Sequence, residues 1–188
     1  MDQEYNSDQV YNTISSQFDH TRFSIWKSVL EFLNTIPKYS IIADIGCGNG
    51  KNARYRSDIV TICNDISIEL LKICNDKKAN DKKVSFKYDC ILANGLHLPY
   101  KTNYFDYTIS IAVLHHLDTY IKRIQFIKEL IRITKTQGKI LLSVWSDEQI
   151  KKKKWIKLGD GDRSFKSYNS YLKYLIGHEN YIKITQNN

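Results

Sequence analysis

Apolar side chains near the N-terminus recur at every third or fourth position. The segments 7–18 and 24–36 both show this spacing, which predicts two amphipathic helices. Ser7 is a candidate N-cap for the first helix. Pro37 follows the end of the second, as proline often does after a helix stop. We therefore expect a helical N-terminal extension over residues 1–38.

Beyond residue 39 the pattern changes to short apolar runs of the kind that form buried strands. The predicted strands are 40–45, 58–65, 84–91, 104–113 and 138–145. Helical patterns over 66–76 and 120–134 lie between them, and only 51–58 is left for a helix in the first crossover. Strands that alternate with helices predict an α/β, Rossmann-like fold, with a mostly parallel sheet and helices on both faces.

The chain is predicted to form a single domain over residues 1–188. A core over 39–145 would follow the N-terminal extension, and 146–188 would form a basic C-terminal part. Within that part only 181–186 has a clear strand pattern. We therefore expect the C-terminal hairpin of the sheet to be reduced or absent.

Charge, hydropathy and cysteine spacing favour a nucleic-acid partner and argue against a membrane or disulfide-rich protein. The net charge of +8 favours an anionic partner, nucleic acid first, although solvated lysine-rich surfaces would give the same total. No apolar run approaches the roughly 20 residues that span a bilayer, and the polar N-terminus is unlike a signal peptide. The four cysteines form no C-x-x-C pair. We therefore predict no metal site, no disulfide framework and a reducing compartment, the cytoplasm or alternatively the nucleus.

A glycine-rich turn, DIGCGNG, follows the first predicted strand and places Gly46, Gly48 and Gly50 at alternate positions. Glycine lets the backbone turn sharply there and approach a ligand closely. The turn matches neither the G-x-G-x-x-G dinucleotide pattern nor a P-loop. Asp65 ends the second predicted strand about 20 residues after Asp44, where a carboxylate can accept hydrogen bonds from both hydroxyls of a ribose.

This D-x-G-x-G-x-G turn resembles the first motif of class I S-adenosylmethionine methyltransferases, whose loop wraps the methionine end of the cofactor. The segment 92–100, LANGLHLPY, is similar to a further motif of these enzymes, with Asn94 where Asp is usual. The Asn carbonyl oxygen can still accept from the adenine amino group. A dinucleotide-binding or cofactor-free Rossmann-like domain is the alternative. The resemblance implies a cofactor site made of Asp44, Gly46, Cys47, Gly48, Gly50, Asp65, Ile66, Asn94, Gly95 and Ile111.

Three features resemble a narrower family, the eukaryotic tRNA wobble-uridine carboxyl methyltransferases. They are the short first crossover, QFDHTRFSIW (17–26) and ISIAVLHHLDT (109–119), and the likeness runs from Val10 to Gln149. The resemblance implies methyl transfer from S-adenosylmethionine to the carboxylate of 5-carboxymethyluridine at the tRNA wobble position, which gives the methyl ester. The alternatives are a class I methyltransferase for a small molecule and a non-catalytic subunit that binds cofactor or tRNA.

The implied reaction bears on the two adjacent histidines. A carboxylate is ionised at neutral pH and needs no general base to act as a nucleophile. We therefore expect His115 and His116 to line the pocket rather than to transfer protons. For each of them, the alternative is a structural histidine in a turn, hydrogen-bonded to the backbone. Arg22 is the candidate catalytic residue for holding the carboxylate through a bidentate guanidinium contact, against a plain surface arginine. Tyr11 and Trp26 are candidates for stacking on the base or covering the cofactor, against a core role.

The resemblance also implies macromolecular partners. His20 is a further candidate for substrate contact, and Lys153, Lys154 and Arg163 would contact the phosphates of the tRNA anticodon stem. A solvated loop is the alternative for the lysines. A small zinc-binding activator protein, shared by several methyltransferases, would dock on the exposed sheet edge near residues 84–91. No membrane partner is expected.

Overall fold

The computed structural model describes residues 7–22, 24–80, 87–145, 156–157, 164–165 and 182–187. Its helices are α1 (Ser7–Thr21), α2 (Lys27–Asn34), α3 (Ile68–Asn80) and α4 (Tyr120–Ile133), with a 3₁₀ helix at Leu114–His116. Its strands are β1 (Ile41–Ile45), β2 (Val60–Asp65), β3 (Lys87–Leu92), β4 (Phe105–Ile111), β5 (Thr134–Trp145), β6 (Ile156–Lys157), β7 (Ser164–Phe165) and β8 (Ile182–Asn187). The alternation of strands and helices predicted from the apolar pattern is confirmed.

The main sheet has the strand order β3-β2-β1-β4-β5-β8, and every neighbouring pair in it is parallel. The chain proceeds outward from β1 to β3 on one side and then returns to place β4 on the other side of β1. Ligands of open α/β sheets bind at such a reversal, outside the carboxyl ends of the strands. The predicted Rossmann-like α/β fold is therefore confirmed, and its reversal locates the place to look for a site.

Side chains of the central strand alternate between two packed faces. Ile42 packs with Ile109 and with α2 on one face, whereas Ala43 and Ile45 pack with α4 on the other. A parallel strand buried on both faces is mostly apolar, and in β1 the one exception is the buried carboxyl group of Asp44. The buried apolar residues of the two helices are Val29, Phe32 and Leu33 of α2, and Phe126, Ile127, Leu130 and Ile133 of α4.

The first crossover differs from the prediction, because residues 46–59 form turns rather than a helix. Arg56 explains part of this difference. Its guanidinium donates to the backbone carbonyls of Leu33 and Ile36, at 2.8 Å and 2.5 Å, and pairs with Asp58 at 2.7 Å. Carbonyls at the end of a helix lack intrahelical donors, so these bonds complete the end of α2 and hold the short crossover against it.

Among the described residues, the C-terminal part of the chain adds one strand to the main sheet. β8 supplies the strand predicted at 181–186, and it pairs with β5 in parallel. β6 and β7 form a separate antiparallel pair, so in the part of the chain that the structure describes no further strand joins the main sheet. The division into residues 1–38, 39–145 and 146–188 stays a prediction. None of the described helices is both long enough and apolar enough to traverse a lipid bilayer.

Candidate active-site cavity

A cavity of about 500 Å³ opens where the carboxyl ends of β1, β2, β3 and β4 meet. Its volume lies within the range of small-molecule sites, which is roughly 300–1,000 Å³. Many of the residues expected to contact cofactor or substrate lie on its wall. They are Tyr11, Gly46, Gly48, Asp65, Ile66, Asn94, Gly95, Ile111 and His116.

The glycine-rich turn forms the part of the wall that follows β1. Gly46 and Gly48 have φ angles of +76° and +56°, in the left-handed region that favours glycine. A Cβ on Gly46 would lie 2.1 Å from a methyl carbon of Val113, and one on Gly48 would lie 3.0 Å from the Phe18 ring. The turn is held against β2 because the N–H groups of Gly46 and Cys47 both donate to the carbonyl of Asn64, at 2.7 Å and 2.9 Å.

Asp65 connects this turn to the start of α3. One carboxylate oxygen accepts from the N–H of Gly48 at 2.8 Å, and the other accepts from the N–H of Ser67 at 2.9 Å. Burial raises the pKa of Asp65 above its usual range, against the lowering effect of these backbone donors. A carboxylate has about four acceptor sites. Asp65 therefore orders the glycine turn and still has acceptor capacity toward the cavity that it lines.

Asp44 lies one residue before Ile45 of the cavity wall and is fully buried. Its Oδ2 accepts from Asn52 Nδ2 at 3.3 Å, and its Oδ1 has no hydrogen-bond partner among the described residues. Burial is the main cause that raises the pKa of Asp44 to about 7. A buried acid with one unpaired oxygen is costly, so a polar donor bound at this position would stabilise it.

The 3₁₀ helix after β4 places the two histidines differently. His116 lines the cavity, and its Nε2 lies 2.7 Å from the hydroxyl of Tyr11 in α1. His115 is outside the set of wall residues, with its ring centroid 4.1 Å from that of His116. Burial lowers the pKa of both imidazoles, and the neighbouring His116 lowers that of His115 further, to about 4. Both rings are therefore neutral at neutral pH.

Helix α1 covers one side of the cavity and is held there by polar contacts. Asn12 Oδ1 accepts from the hydroxyl of Ser67 at 2.7 Å, beside the first turn of α3. Asp19 accepts from Asn49 at 2.6 Å and pairs with Lys77 of α3. These bonds, one from the second turn of α1 and one near its C-terminal end, hold the helix against the glycine turn and α3.

Asn94, the candidate for hydrogen bonding to the adenine amino group, lies on the β3 side of the wall. Asn94 is exposed there, and its Oδ1 accepts from the N–H of Leu96 at 2.9 Å. One acceptor site of this oxygen is therefore occupied by the local turn. A Cβ on Gly95 would lie 2.4 Å from the Phe126 ring of α4, so only glycine lets this loop pack so close to the core.

Several sequence-predicted residues lie away from the wall. The Arg22 guanidinium carbon lies 5.9 Å from the centroid of the Phe18 ring, and Lys51 Nζ lies 5.4 Å from the Trp26 ring. His20 is exposed at the end of α1. Cys47, Gly50, Asp44 and His115 are likewise absent from the wall, while Lys153, Lys154 and Arg163 lie outside the described residues.

Other wall residues were not singled out from the sequence. Phe18 shared the apolar stripe of its helix with Tyr11, and that common face was the available signal. Lys122 and Asp118 carried no signal, because their place depends on how the end of β4 and the start of α4 meet the sheet. Leu96, for which the sequence predicted packing around the adenine or a place in the core, lies on the wall. The wall residues without a predicted role are Phe18, Ile45, Asn64, Leu70, Ala93, Ala112, Val113, Leu117, Asp118, Lys122 and Phe126.

Residues 43–142, more than half of the chain, match the pattern of a family described as a methyltransferase domain. The chain belongs to this methyltransferase domain family. The matched segment runs from β1 to β5 and includes the glycine turn, Asp65 and the two histidines.

The narrower resemblance stated from the sequence is also confirmed. The chain is 41% identical over 141 residues to a tRNA (carboxymethyluridine(34)-5-O)-methyltransferase of Arabidopsis thaliana, which covers 75% of this chain and 33% of that protein. It is 35% identical over 152 residues to the protein of the same description from Schizosaccharomyces pombe, with 79% of this chain and 62% of the relative covered. The chain thus spans about a third to three fifths of the length of these two relatives.

Solved structures agree on the fold. In a complex between the Haloferax volcanii Trm112 methyltransferase activator and a methyltransferase, the matching chain has a TM-score of 0.62 at 16% identity, over 76% of this chain and 62% of that chain. At this identity the likeness shows the class I methyltransferase fold alone.

Proposed function

We propose that this chain transfers a methyl group from S-adenosylmethionine to the carboxylate of 5-carboxymethyluridine at the wobble position of tRNA. The single observation that carries the proposal is the hydrogen bond from the N–H of Gly48 to the carboxylate of Asp65, both on the wall of the cavity. The similarity to named carboxymethyluridine methyltransferases supplies the acceptor. The fold alone would leave the acceptor open, since one fold hosts many functions.

The residues of the cavity fit the cofactor. Asp65 offers acceptor sites to the ribose hydroxyls, whereas Asp44 is buried behind the wall and would support the glycine turn rather than contact the cofactor directly. Gly46 and Gly48 would let the backbone approach the methionine part, and Asn94, on the β3 side of the wall, would contact the base. Ile66, Gly95 and Ile111 would complete the contact surface, with Cys47 and Gly50 shaping the turn from behind. When bound, S-adenosylmethionine supplies an electrophilic sulfonium methyl group.

The remaining wall residues suit an acceptor that is already an anion. Such an acceptor needs orientation and loss of water rather than a base. Neutral His116 and its partner Tyr11 provide polar contacts for orientation without removing a proton. Lys122 lies on the wall but pairs there with Asp118 at 3.2 Å. Arg22 lies beside Phe18 of the wall and is the candidate cation for balancing the carboxylate. His115 supports His116, and Trp26 and His20 extend this face toward the tRNA.

We further propose that tRNA and an activator protein bind outside the cavity. The charge of +8 and the basic run 151–157 favour the phosphates of an anticodon stem. The edge strand β3 pairs with β2 on one side, and Leu92 near its end is 54% exposed. A small zinc-binding activator would add a strand there. The complex of a fold neighbour with the Trm112 methyltransferase activator supports a partner of this kind. We expect the reaction in the cytoplasm.

Mass spectrometry of nucleosides tests the proposal. The chain, with and without the activator, is incubated with S-adenosylmethionine and tRNA that carries unmethylated 5-carboxymethyluridine. We expect the wobble nucleoside to gain one methyl group as an ester that mild alkali removes. Cofactor binding without transfer to any tRNA would instead favour a small-molecule acceptor or a non-catalytic subunit.

A further inference from the structure

All four cysteines of the chain meet at one place in the fold. They come from four separate segments: Cys47 from the glycine turn, Cys63 from β2, Cys74 from α3 and Cys90 from β3. The sulfur atoms of Cys47, Cys63 and Cys74 all lie within 4.8 Å of one another. The Cys90 sulfur lies 3.2 Å from that of Cys74.

The four sulfur atoms form a compact group rather than a chain of contacts. The Cys63 and Cys74 thiols each contact the other three. Cys63 and Cys90 are register partners in the parallel pair of β2 and β3, so their side chains project from the same face of the sheet. Thiolates around a tetrahedral zinc ion, at about 2.3 Å from the metal, lie about 3.8 Å apart. The 3.2 Å separation of the Cys74 and Cys90 sulfur atoms and the 4.8 Å limit among the sulfur atoms of the three buried cysteines lie on either side of that spacing.

We propose that these four thiols bind one zinc ion in a tetrahedral all-cysteine site. Thiolate ligands favour zinc, Cu(I) and iron–sulfur clusters, and four cysteines in tetrahedral array are typical of structural zinc sites. The four thiols give up their protons to solvent as the ion binds, which leaves the centre with a net charge of −2. Arg54 and Lys78 lie close enough to interact electrostatically with Cys74 and Cys90, respectively, and they offset part of this charge.

The position of the cysteine cluster indicates a structural role for the ion. The first crossover has no helix over residues 46–59, so this part of the sheet is covered by turns and α3. The local apolar cluster is small, with Ala53, Leu71 and Tyr88 beside the cysteines. An ion held by four segments would join the glycine turn, β2, α3 and β3. Burial of single cysteines is ordinary, but the convergence of every cysteine in the chain from segments without a C-x-x-C pair is not.

The first test measures metal in the purified full chain, with no substrate present, so its outcome is independent of the proposed methyl transfer. The protein is prepared under reducing conditions, and its zinc content is measured by elemental mass spectrometry. We expect one zinc ion per chain. Replacement by cobalt should give thiolate-to-cobalt charge-transfer absorption typical of tetrahedral sites. A reduced, folded chain that holds no zinc and gives no cobalt absorption overturns the proposal, as does a Cys74–Cys90 disulfide in that preparation.

Variants and a chelator separate metal binding from simple packing. C74S should lose the ion, and C90S should bind it at least about tenfold more weakly, since each removes one of four ligands. A53S is the matched control, because it places a hydroxyl in the same cluster and keeps all four thiols. If C74S does not fold, the wild-type chain decides the question. A strong chelator should lower its melting temperature by about 5–10 °C, and one equivalent of zinc should restore it. An unchanged melting temperature contradicts a structural ion.

Discussion

Replacing Asp65 by asparagine tests the bond that closes the glycine turn. The carboxylate accepts from the N–H groups of Gly48 and Ser67 with its two oxygens. An asparagine keeps one oxygen and turns an NH₂ group toward the other donor. One buried N–H then loses its acceptor, which costs about 1–3 kcal/mol. Relief from burying a charge offsets part of this cost in the unbound protein, because burial raises the pKa of Asp65.

Cofactor affinity is therefore the sharper readout of Asp65→Asn. Loss of a charged acceptor for the ribose hydroxyls costs about 1.5–3 kcal/mol, which corresponds to a rise in Kd of about 10- to 150-fold. Titration calorimetry with S-adenosylmethionine measures this change, and urea unfolding measures the stability separately. Asp58→Asn is the control, because its carboxylate pairs with Arg56 in the crossover and lies outside the cavity wall. A folded Asp65→Asn protein that binds the cofactor within about threefold of wild type would refute the reasoning.

The other predictions concern the cavity wall and pH. Tyr11→Phe should lower stability by about 0.5–1.5 kcal/mol through loss of its bond to His116 and reduce kcat; unchanged unfolding and turnover would contradict that bond. Gly48→Ala should cost about 1–2 kcal/mol through its left-handed φ and weaken cofactor binding; wild-type calorimetry and melting would contradict this. Because burial raises the pKa of Asp44 to about 7, the unbound folded chain holds a proton that the unfolded chain releases. Its stability should fall as the pH rises from about 4 to 7, and Asp44→Asn should remove that slope in urea unfolding. Because burial lowers the pKa of His115 to about 4, the wild-type chain should lose stability as the pH falls from about 6.5 to 4, and His115→Phe should not show this loss. A pH dependence that persists in the Asp44 or the His115 variant would contradict the pKa assigned to that residue.

Local sequence patterns were sufficient to predict the elements that carry the site. Apolar runs followed by turn residues predicted β1 and β2. Because Asp44 and Asp65 come at or near the ends of these runs, the sequence also placed both at the carboxyl edge of the sheet. Left-handed backbone at Gly46 and Gly48 follows from their place in the turn. These features depend on a few neighbouring residues, so one sequence is enough to predict them.

Features that depend on contacts between distant segments were not predictable in the same way. Tyr11 meets His116 only because α1 docks across the cavity, and nothing near either residue in the sequence encodes that pairing. The crossover over 46–59 is held against the end of α2 by Arg56, and the sequence near Arg56 does not encode that contact. The sulfur cluster likewise requires four separated segments to meet. Motifs such as C-x-x-C detect metal ligands that are close together in the sequence, so they cannot detect a site whose ligands come from four separate segments.

The central claim is that the cavity beside Asp65 delivers a methyl group to a tRNA carboxylate. The most direct measurement uses S-adenosylmethionine with a deuterated methyl group and tRNA that carries 5-carboxymethyluridine, followed by mass spectrometry of the wobble nucleoside. The account predicts a deuterated methyl ester with the wild-type chain and activator, and much less product with Asp65→Asn at the same cofactor concentration. A wild-type chain that is saturated with cofactor and leaves the carboxylate unmodified would contradict it.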